Sequence, residues 1–187
     1  RLQRERETLL TETQRQLNEL TLLRAISLAG AESDSVDALI EGATRLIGGA
    51  FFSDNFGVLL LDEAQGALRL HPSYRVRIAR GRSFIPLGQG ICGHVAASGQ
   101  PLRVPDVTGD ARYLDGDPQT RSEMCVPLKV GERVIGVLNT ESARADAFSA
   151  ADERLLMTLA GQLATAIEKI RLREQTRQRA QQLETLY

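Results

Sequence analysis

The sequence predicts an α+β fold in which an antiparallel sheet is flanked by helices. Residues 1–29 and 162–187, at the two ends of the chain, contain neither Pro nor Gly, as expected of helices. Between them, short apolar and β-branched runs are joined by turns that contain Gly, which is typical of antiparallel hairpins. The chain has 187 residues, 42% of them hydrophobic, and shows no series of βαβ units. One domain with helical extensions is therefore expected.

The first predicted helix covers residues 1–29, which contain neither Pro nor Gly. Its two heptad positions are only half apolar, with Leu10, Leu17 and Arg24 at one and Thr13, Leu20 and Ser27 at the other. Such a seam is compatible with a two-stranded coiled coil of marginal stability. The alternative is a solvated helix without a partner.

A second helix is predicted to begin after the N-cap segment 33–35 and to carry apolar residues at helical spacing from Val36 to Ile47. We expect Gly48-Gly49 to end it. The continuous apolar run from Phe56 to Leu61 then predicts a strand that is covered on both faces. A returning strand is predicted over 67–74, with Pro72 near its end.

The central part of the chain alternates short strands with one short helix. Strands are predicted over 83–87 and 102–104, and a helix of about nine residues between them ends at Gly99. The clearest hairpin follows, with strands over 122–129 and 133–141 joined by a turn at Gly131-Glu132.

The last predicted helix begins at Ser149, with Asp152 three residues later in a capping-box arrangement. Its apolar face consists of Leu155, Leu156, Leu159, Leu163, Ala166, Ile167 and Ile170. Beyond Ile170 the sequence is polar, but nothing breaks the helix before Tyr187. A helix of about 55 Å is longer than the domain, so its end is expected to reach a partner helix or a neighbouring domain.

Residues 88–93 satisfy the pattern G-x-G-x-x-G between a predicted strand and a helix. This pattern alone would indicate a dinucleotide site, but the short helix and the antiparallel hairpins argue against one. Two interpretations stay open. The glycines either serve only the turn, or they present free amides at a helix N-terminus to an anionic ligand group.

Four segments, 85–96, 101–107, 121–128 and 134–139, resemble the corresponding segments of a GAF domain. The resemblance covers roughly residues 22–170. It implies a six-stranded antiparallel sheet with the terminal helices on one face and a small-molecule pocket on the other. The implied roof of that pocket is the helix after Gly90 together with the loop after Asp106.

One motif also resembles the cyclic-nucleotide-binding members of the family. Phe148, followed four residues later by Asp152-Glu153, looks like the end of their motif. In that motif an Asn-Lys pair precedes the Phe, whereas Thr140 follows Asn139 here. The acids of 152–153 are also explained as first-turn residues favoured by the helix dipole.

Alternation along the last hairpin predicts which side chains share a face. Glu123, Cys125 and Pro127 lie on one face of their strand, and Val137, Asn139 and Glu141 on one face of the partner strand. By resemblance this face lines the pocket, and Glu123 and Asn139 are its polar anchors. Alternatively, Glu123 binds backbone amides of the roof loop. The candidate ligand-binding residues are Glu123, Asn139, Glu141, Asp106, Tyr113, Leu114, Cys125 and Cys92.

The enzymatic alternative is a free methionine-R-sulfoxide reductase, whose acidic pocket the segments around Ser122-Glu123 and 138–142 resemble. Sulfoxide reduction needs a thiolate nucleophile and a resolving partner. That family carries the nucleophile in the loop before the Ser-Glu strand, and the loop 110–121 contains no Cys. Cys125 is expected to be buried and inert. Cys92 lies at a helix N-terminus, which lowers a thiol pKa, so redox sensing by it stays open.

The remaining composition narrows the class of protein. The net charge of −1 argues against a nucleic-acid partner, no apolar run is long enough for a membrane span, and two cysteines fit a reducing cytoplasm. No metal-ligand spacing or catalytic grouping is visible, and no cofactor is identified. Because the chain begins at Arg1 without Met, we expect a fragment of a longer protein.

The sequence as a whole predicts a non-enzymatic sensory module. Residues 22–170 are the sensory domain, and 1–21 and 171–187 are signalling helices that join two copies in a homodimer. Binding of an unidentified small molecule is relayed through these helices to an output domain of the same polypeptide. The competing hypothesis is a dimerisation spacer without a ligand, whose pocket is filled by its own side chains.

Overall fold

The structure is a computed structural model that describes residues 2–50, 55–75, 83–114 and 117–184. Four α-helices are present in this part of the chain: α1 (Leu2–Glu32), α2 (Val36–Ala50), α3 (Gly90–Ser98) and α4 (Ala150–Glu184). The strands are β1 (Asn55–Asp62), β2 (Ala67–Leu70), β3 (Phe84–Pro86), β4 (Leu102–Val104), β5 (Ser122–Val130) and β6 (Arg133–Ser142). They form one antiparallel sheet in the order β3-β2-β1-β6-β5-β4, which confirms the predicted α+β fold.

The larger core lies between one face of the sheet and the layer formed by α1, α2 and α4. Its centre is apolar and fully buried, and it includes Ile26, Leu39, Ile47, Phe56, Met124, Leu138, Leu156 and Leu163. Each such aliphatic or aromatic side chain contributes about 1.5–3 kcal/mol when it is withdrawn from water. This layer therefore supplies most of the apolar burial that holds the terminal helices on the sheet.

The smaller core lies on the opposite face, under α3. It contains Leu59, Leu68, Ile91, Cys92, Val95, Ala96, Val104, Val107, Cys125 and Val137. Alternate residues of β1 thus enter different cores: Val58 and Leu60 face the terminal helices, and Leu59 faces α3. Burial on both faces explains why β1 is continuously apolar, as predicted.

Two predicted element ends were wrong. α2 continues through Gly48-Gly49 to Ala50, because neither glycine adopts a positive φ and Gly48 packs against the ring of Phe56. β2 ends at Leu70 and not near 74. Pro72 has no amide to donate, and the backbone turns there, with the amide of Tyr74 donating to the carbonyl of His71.

The predicted caps are present at two helix starts. The Oγ of Ser35 accepts a hydrogen bond from the amide of Ala38 at 3.2 Å, in the first turn of α2. Ser149 and Asp152 form the capping box of α4: the Asp152 amide donates to Ser149 Oγ at 3.2 Å, and the Ser149 amide donates to Asp152 Oδ2 at 2.8 Å. Asp152 therefore has a structural role.

The outer parts of α1 and α4 extend beyond the core. Four leucines of α1 expose more than half of their surface to solvent: Leu9, Leu10, Leu17 and Leu20. On α4, Leu172 and Leu183 are similarly exposed, at 54% and 61%. None of the helices in the described ranges combines the length and apolar character that a membrane crossing requires.

Candidate functional site

The floor of the site lies in the first half of β5 and the second half of β6, on the face covered by α3. Glu123 is paired directly with Glu141, and Cys125 with Asn139. Because directly opposed residues of an antiparallel pair point to the same face, these four side chains are neighbours. All four are buried, with exposed fractions of 9% or less. The alternation predicted from the sequence thus places them together.

Two carboxylates oppose each other on this floor. Burial, together with the neighbouring Glu141, raises the pKa of Glu123 to about 8. Burial also raises the pKa of Glu141, although Thr120 Oγ1 donates to Glu141 Oε2 at 2.7 Å. Among the described residues neither carboxylate is ion-paired with an Arg or Lys side chain. The floor is therefore a buried acidic pair without a countercharge in the described part of the chain.

Tyr74 forms one wall of the site and was not among the predicted residues. The amide nitrogen of Asn139 donates to its hydroxyl oxygen at 2.8 Å, and the hydroxyl is also hydrogen-bonded to Glu141. Burial and the Glu141 charge raise the pKa of Tyr74. The ring lies flat against Gly57 of β1, where an added Cβ would overlap it. A glycine inside a strongly apolar strand was the available signal for this close approach.

Asn139 joins these groups. Its amide nitrogen donates to Tyr74 at 2.8 Å and to Glu141 Oε1 at 3.3 Å, and it lowers the pKa of the neighbouring Glu123. Its carbonyl oxygen Oδ1 is buried and has no hydrogen-bond partner within the described residues. An unpaired buried acceptor costs about 1–3 kcal/mol, so this atom indicates a position where a donor would be stabilising.

Cys92 enters the site from the first turn of α3. Its Sγ donates to Glu123 Oε1 at 3.8 Å and is hydrogen-bonded to the thiol of Cys125. The pKa of Cys92 is raised, first by the hydrogen bond with Cys125 and then by burial. The predicted lowering by the helix N-terminus was therefore wrong, because the thiol faces another thiol and two acids. Cys125 is fully buried, as predicted, and its pKa is raised by burial.

Of the three predicted roof residues, Asp106 lies apart from the floor of the site. Asp106 is half-exposed; its Oδ2 accepts from Arg121 Nη2 at 2.8 Å and its Oδ1 from the amide of Thr108 at 3.1 Å. These partners hold the pKa of Asp106 well below its usual range. Asp106 thus caps the 3-10 turn Val107–Gly109 and is not grouped with the floor acids.

Tyr113 and Leu114 both lie in the roof segment. Tyr113 packs on the smaller core, and its hydroxyl donates to the carbonyl of Asp117 at 3.2 Å. Leu114 lies on Gly90, where an added Cβ would be 2.6 Å from Leu114 Cδ1. The roof loop after Asp106 and the first residue of α3 therefore pack on each other. Thr120, which donates to Glu141, is a further site residue, and no sequence pattern indicated it.

The glycines of 88–93 have a structural explanation. Gly88 and Gly90 have φ values of 79° and 67°, which favour glycine. The amide of Gly88 donates to the carbonyl of Gly93 at 2.9 Å, and that of Gln89 to Pro86 at 3.1 Å. These φ values and bonds support the interpretation that Gly88 and Gly90 serve the turn before α3.

The sequence and the fold match a known family. The family model described as GAF domain matches residues 31–168, which is most of the chain. The chain belongs to the GAF domain family. The family assignment agrees with the six-stranded antiparallel sheet, which carries the terminal helices on one face and α3 on the other.

Relatives of this GAF chain include a nitrogen fixation protein and a reductase. It is 29% identical over 159 residues to nitrogen fixation protein VnfA of Azotobacter vinelandii, which covers 80% of this chain and 30% of VnfA. It is 37% identical over 79 residues to the free methionine-R-sulfoxide reductase of Escherichia coli, covering 42% of this chain and 48% of the reductase. The chain therefore spans less than half of either curated relative.

A solved structure is similar over most of the GAF chain. The free methionine-R-sulfoxide reductase of Neisseria meningitidis, in complex with its substrate, superposes with a TM-score of 0.75 at 28% identity. The match covers 82% of this chain and 90% of that one. The GAF chain thus shares its fold with a reductase and matches a part of the longer protein VnfA.

Proposed function

We propose that this GAF domain binds a small molecule through a cationic group, an ammonium or a guanidinium, and reports its occupancy through the terminal helices. The observation that carries the proposal is the buried pair Glu123–Glu141, which lacks a countercharge among the described residues. Two acids with raised pKa values are stabilised in their ionised form by a cation placed between them. The unpaired Oδ1 of Asn139 would accept a hydrogen bond from the same ligand.

The route from ligand to helices runs through a single strand. In β5, Glu123 and Cys125 face the site, whereas Met124, Val126 and Leu128 face the terminal helices. A ligand that draws the acids together displaces β5, and α4 packs directly on that strand. The effect of the ligand is limited to the difference in its affinity for the two helix arrangements, typically a few kcal/mol.

The signalling assignment follows from this route. We assign residues 22–170 to the sensory domain, and 1–21 and 171–187 to helices that join two copies and lead to an output domain of the same polypeptide. The exposed leucines of α1 supply an apolar stripe for the second copy. In this assignment the domain is a non-enzymatic sensor in the cytoplasm.

Cation binding is tested by a thermal-shift screen with free amino acids, linear polyamines and guanidino compounds, with cyclic nucleotides as the anionic set. A cationic ligand at 100 times its Kd is expected to stabilise the wild-type protein by about 2.7 kcal/mol. It should not stabilise Glu141→Gln, whereas Glu132→Gln, in the exposed hairpin turn, should respond like the wild type. Stabilisation by the anionic set alone would contradict the proposal, and no response to either set would favour the ligand-free spacer.

The affinity for that cation is expected to rise with pH. At pH 6 the free protein holds a proton on Glu123, whose pKa is raised to about 8, and the cation must displace it. Affinity should therefore increase by up to about tenfold per pH unit between pH 6 and pH 8 and level off above. Isothermal titration calorimetry in buffers of different ionisation enthalpy measures the proton release. Proton uptake on binding would contradict this prediction.

Dimerisation is tested with two leucines of α1. Leu10→Glu combined with Leu17→Glu is expected to convert a dimer to a monomer in sedimentation velocity, because both side chains are more than half exposed in the single chain. Gln16→Glu, on the same helix, is the matched control and should leave the mass unchanged. A monomeric wild-type protein would contradict the dimeric relay.

A second candidate function is reduction of a free sulfoxide, and the contact between the thiols of Cys92 and Cys125 favours it. The stoichiometry balances: one sulfoxide and two thiols give a thioether, a disulfide and water. Consumption of dithiothreitol in the presence of free methionine-R-sulfoxide tests it. Turnover that is lost in both Cys92→Ser and Cys125→Ser would replace the sensory proposal with an enzymatic one. Wild-type turnover no faster than in either variant would exclude the reductase.

A further inference from the structure

The chain contains two cysteines, and the fold brings both to one place. Cys92 comes from the first turn of α3 and Cys125 from the middle of β5, which α3 covers. Their exposed fractions are 5% and 0%, both side chains pack in the smaller core, and the two thiols lie close enough for each to shift the pKa of the other. Glu123 Oε1 lies 3.8 Å from Cys92 Sγ. Two thiols and a proton acceptor therefore form one buried cluster.

We propose that Cys92 and Cys125 form a reversible disulfide in response to a hydroperoxide, and that this bond fastens α3 to the sheet. The bond would join α3, the lid of the site, to the floor strand β5, next to Glu123 and Asn139. It requires the sulfur atoms to approach to about 2.05 Å, and the first turn of α3 would move towards β5 as the bond forms. The inference does not depend on the identity of a ligand.

The chemistry balances with hydrogen peroxide as the oxidant. The Cys92 thiol transfers its proton to the Glu123 carboxylate, and the thiolate sulfur attacks one peroxide oxygen. The O–O bond breaks, hydroxide leaves and takes up the proton from Glu123 as water, and Cys92 becomes a sulfenic acid. The sulfur of Cys125 then attacks Cys92 Sγ; its own proton and the departing hydroxide form a second water. Two thiols are oxidised by two electrons and one peroxide is reduced to two waters.

The surroundings determine when the pair reacts. The hydrogen bond with Cys125 and burial raise the pKa of Cys92, and burial raises the pKa of Cys125, so the resting cluster reacts slowly with low peroxide. Glu123 is the nearest proton acceptor, and its ionised fraction increases as the pH rises towards about 8. Oxidation should therefore accelerate over that range. A disulfide between α3 and β5 then restricts opening of the lid.

The test uses the full chain treated with hydrogen peroxide, quenched by alkylation under denaturing conditions and measured as intact mass. We expect a loss of 2 Da in the monomer, reversed by dithiothreitol, and a tryptic cross-link between the Cys92 and Cys125 peptides. Because there are no other cysteines, this mass change has no other intramolecular source. Two freely alkylated thiols after treatment, or disulfide-linked dimers alone, would overturn the proposal.

Variants test whether Cys125 and Glu123 are needed for the oxidation of Cys92 to a disulfide. Cys125→Ala should leave Cys92 as a sulfenic or higher acid without the 2 Da loss, and Glu123→Gln should slow oxidation at pH 8 by about tenfold or more. Equal rates in Glu123→Gln and wild type would remove the role assigned to Glu123. Hydrogen exchange of the α3 amides in oxidised wild-type protein should slow at least about tenfold, since the disulfide opposes local opening. Unchanged exchange would refute the fastening of the lid.

The same experiment distinguishes peroxide-driven disulfide formation from the reduction of a sulfoxide. In a parallel arm, free methionine-R-sulfoxide replaces hydrogen peroxide. Disulfide formation with peroxide and not with the sulfoxide supports the fastening proposal alone. Disulfide formation with the sulfoxide at lower concentration than with peroxide would overturn it in favour of catalysis.

Discussion

Glu123→Gln is expected to stabilise the protein without ligand at pH 8 by a few kcal/mol and to remove most of its loss of stability between pH 5 and pH 8. The pKa of Glu123 is about 8 in the folded protein, against about 4.3 for an unperturbed glutamate. Between these values the folded state holds a proton that the unfolded state has released. The contribution of the Glu123 proton to the free energy of unfolding is therefore complete below about pH 4 and is lost as the pH rises to about 8.

Urea unfolding of both proteins at pH 5, 6, 7 and 8 measures this difference. The variant should show an increasing advantage as the pH rises, because a buried amide never has to ionise. Glu132→Gln, in the exposed turn between β5 and β6, is the control and should follow the wild-type profile. A wild-type protein whose stability is flat or increases from pH 5 to pH 8 would show that Glu123 is not the buried, proton-binding group described here.

This prediction bears on function as well as stability. A buried acid without a countercharge destabilises the fold. Replacing it by a neutral side chain would be the simplest way to a more stable protein if the acid had no function. The proposed cation would offset this cost by neutralising the acids when it binds. Glu123→Gln should accordingly give a more stable protein that no longer responds to cations, which is the usual relation between stability and a functional site.

The floor of the site could be predicted from the sequence because side chains alternate between the two faces of a strand. Residues two apart on a strand share a face whatever the rest of the chain does, so the common face of Glu123 and Cys125 followed from their spacing. The partner strand followed from the short turn at Gly131, which has a φ of 60°. The pairing of Glu123 with Glu141 then results from the register of the hairpin.

The sequence could not predict contacts that depend on how distant segments pack. The meeting of Cys92 with Cys125 requires the position of α3 over β5, which no local spacing specifies. Tyr74 was missed for a related reason: the predicted strand 67–74 assigned it an extended position, whereas the chain turns at Pro72. Asp106 was predicted to reach the pocket, but two nearer partners, Thr108 and Arg121, engage its carboxylate.

Gly57→Val is expected to destabilise the protein by about 1–3 kcal/mol and to abolish the response to cations. A Cβ at Gly57 would overlap the ring of Tyr74, so the ring must leave and the hydrogen bonds of its hydroxyl to Asn139 and Glu141 are lost. Urea unfolding measures the stability, and the thermal-shift screen measures the response. Valine suits a strand better than glycine, so destabilisation is expected only because the ring occupies the space.

A double-mutant cycle tests whether that contact is the cause. In Tyr74→Ala the space above Gly57 is free, and Gly57→Val should then be neutral or stabilising, with a coupling energy of about 0.5–3 kcal/mol. Tyr113→Ala, which removes a tyrosine from the roof, is the matched control, and its effect should add to that of Gly57→Val. Additivity with Tyr74→Ala within about 0.5 kcal/mol would mean that the ring does not rest on β1. The wall of the site would then be formed without the glycine.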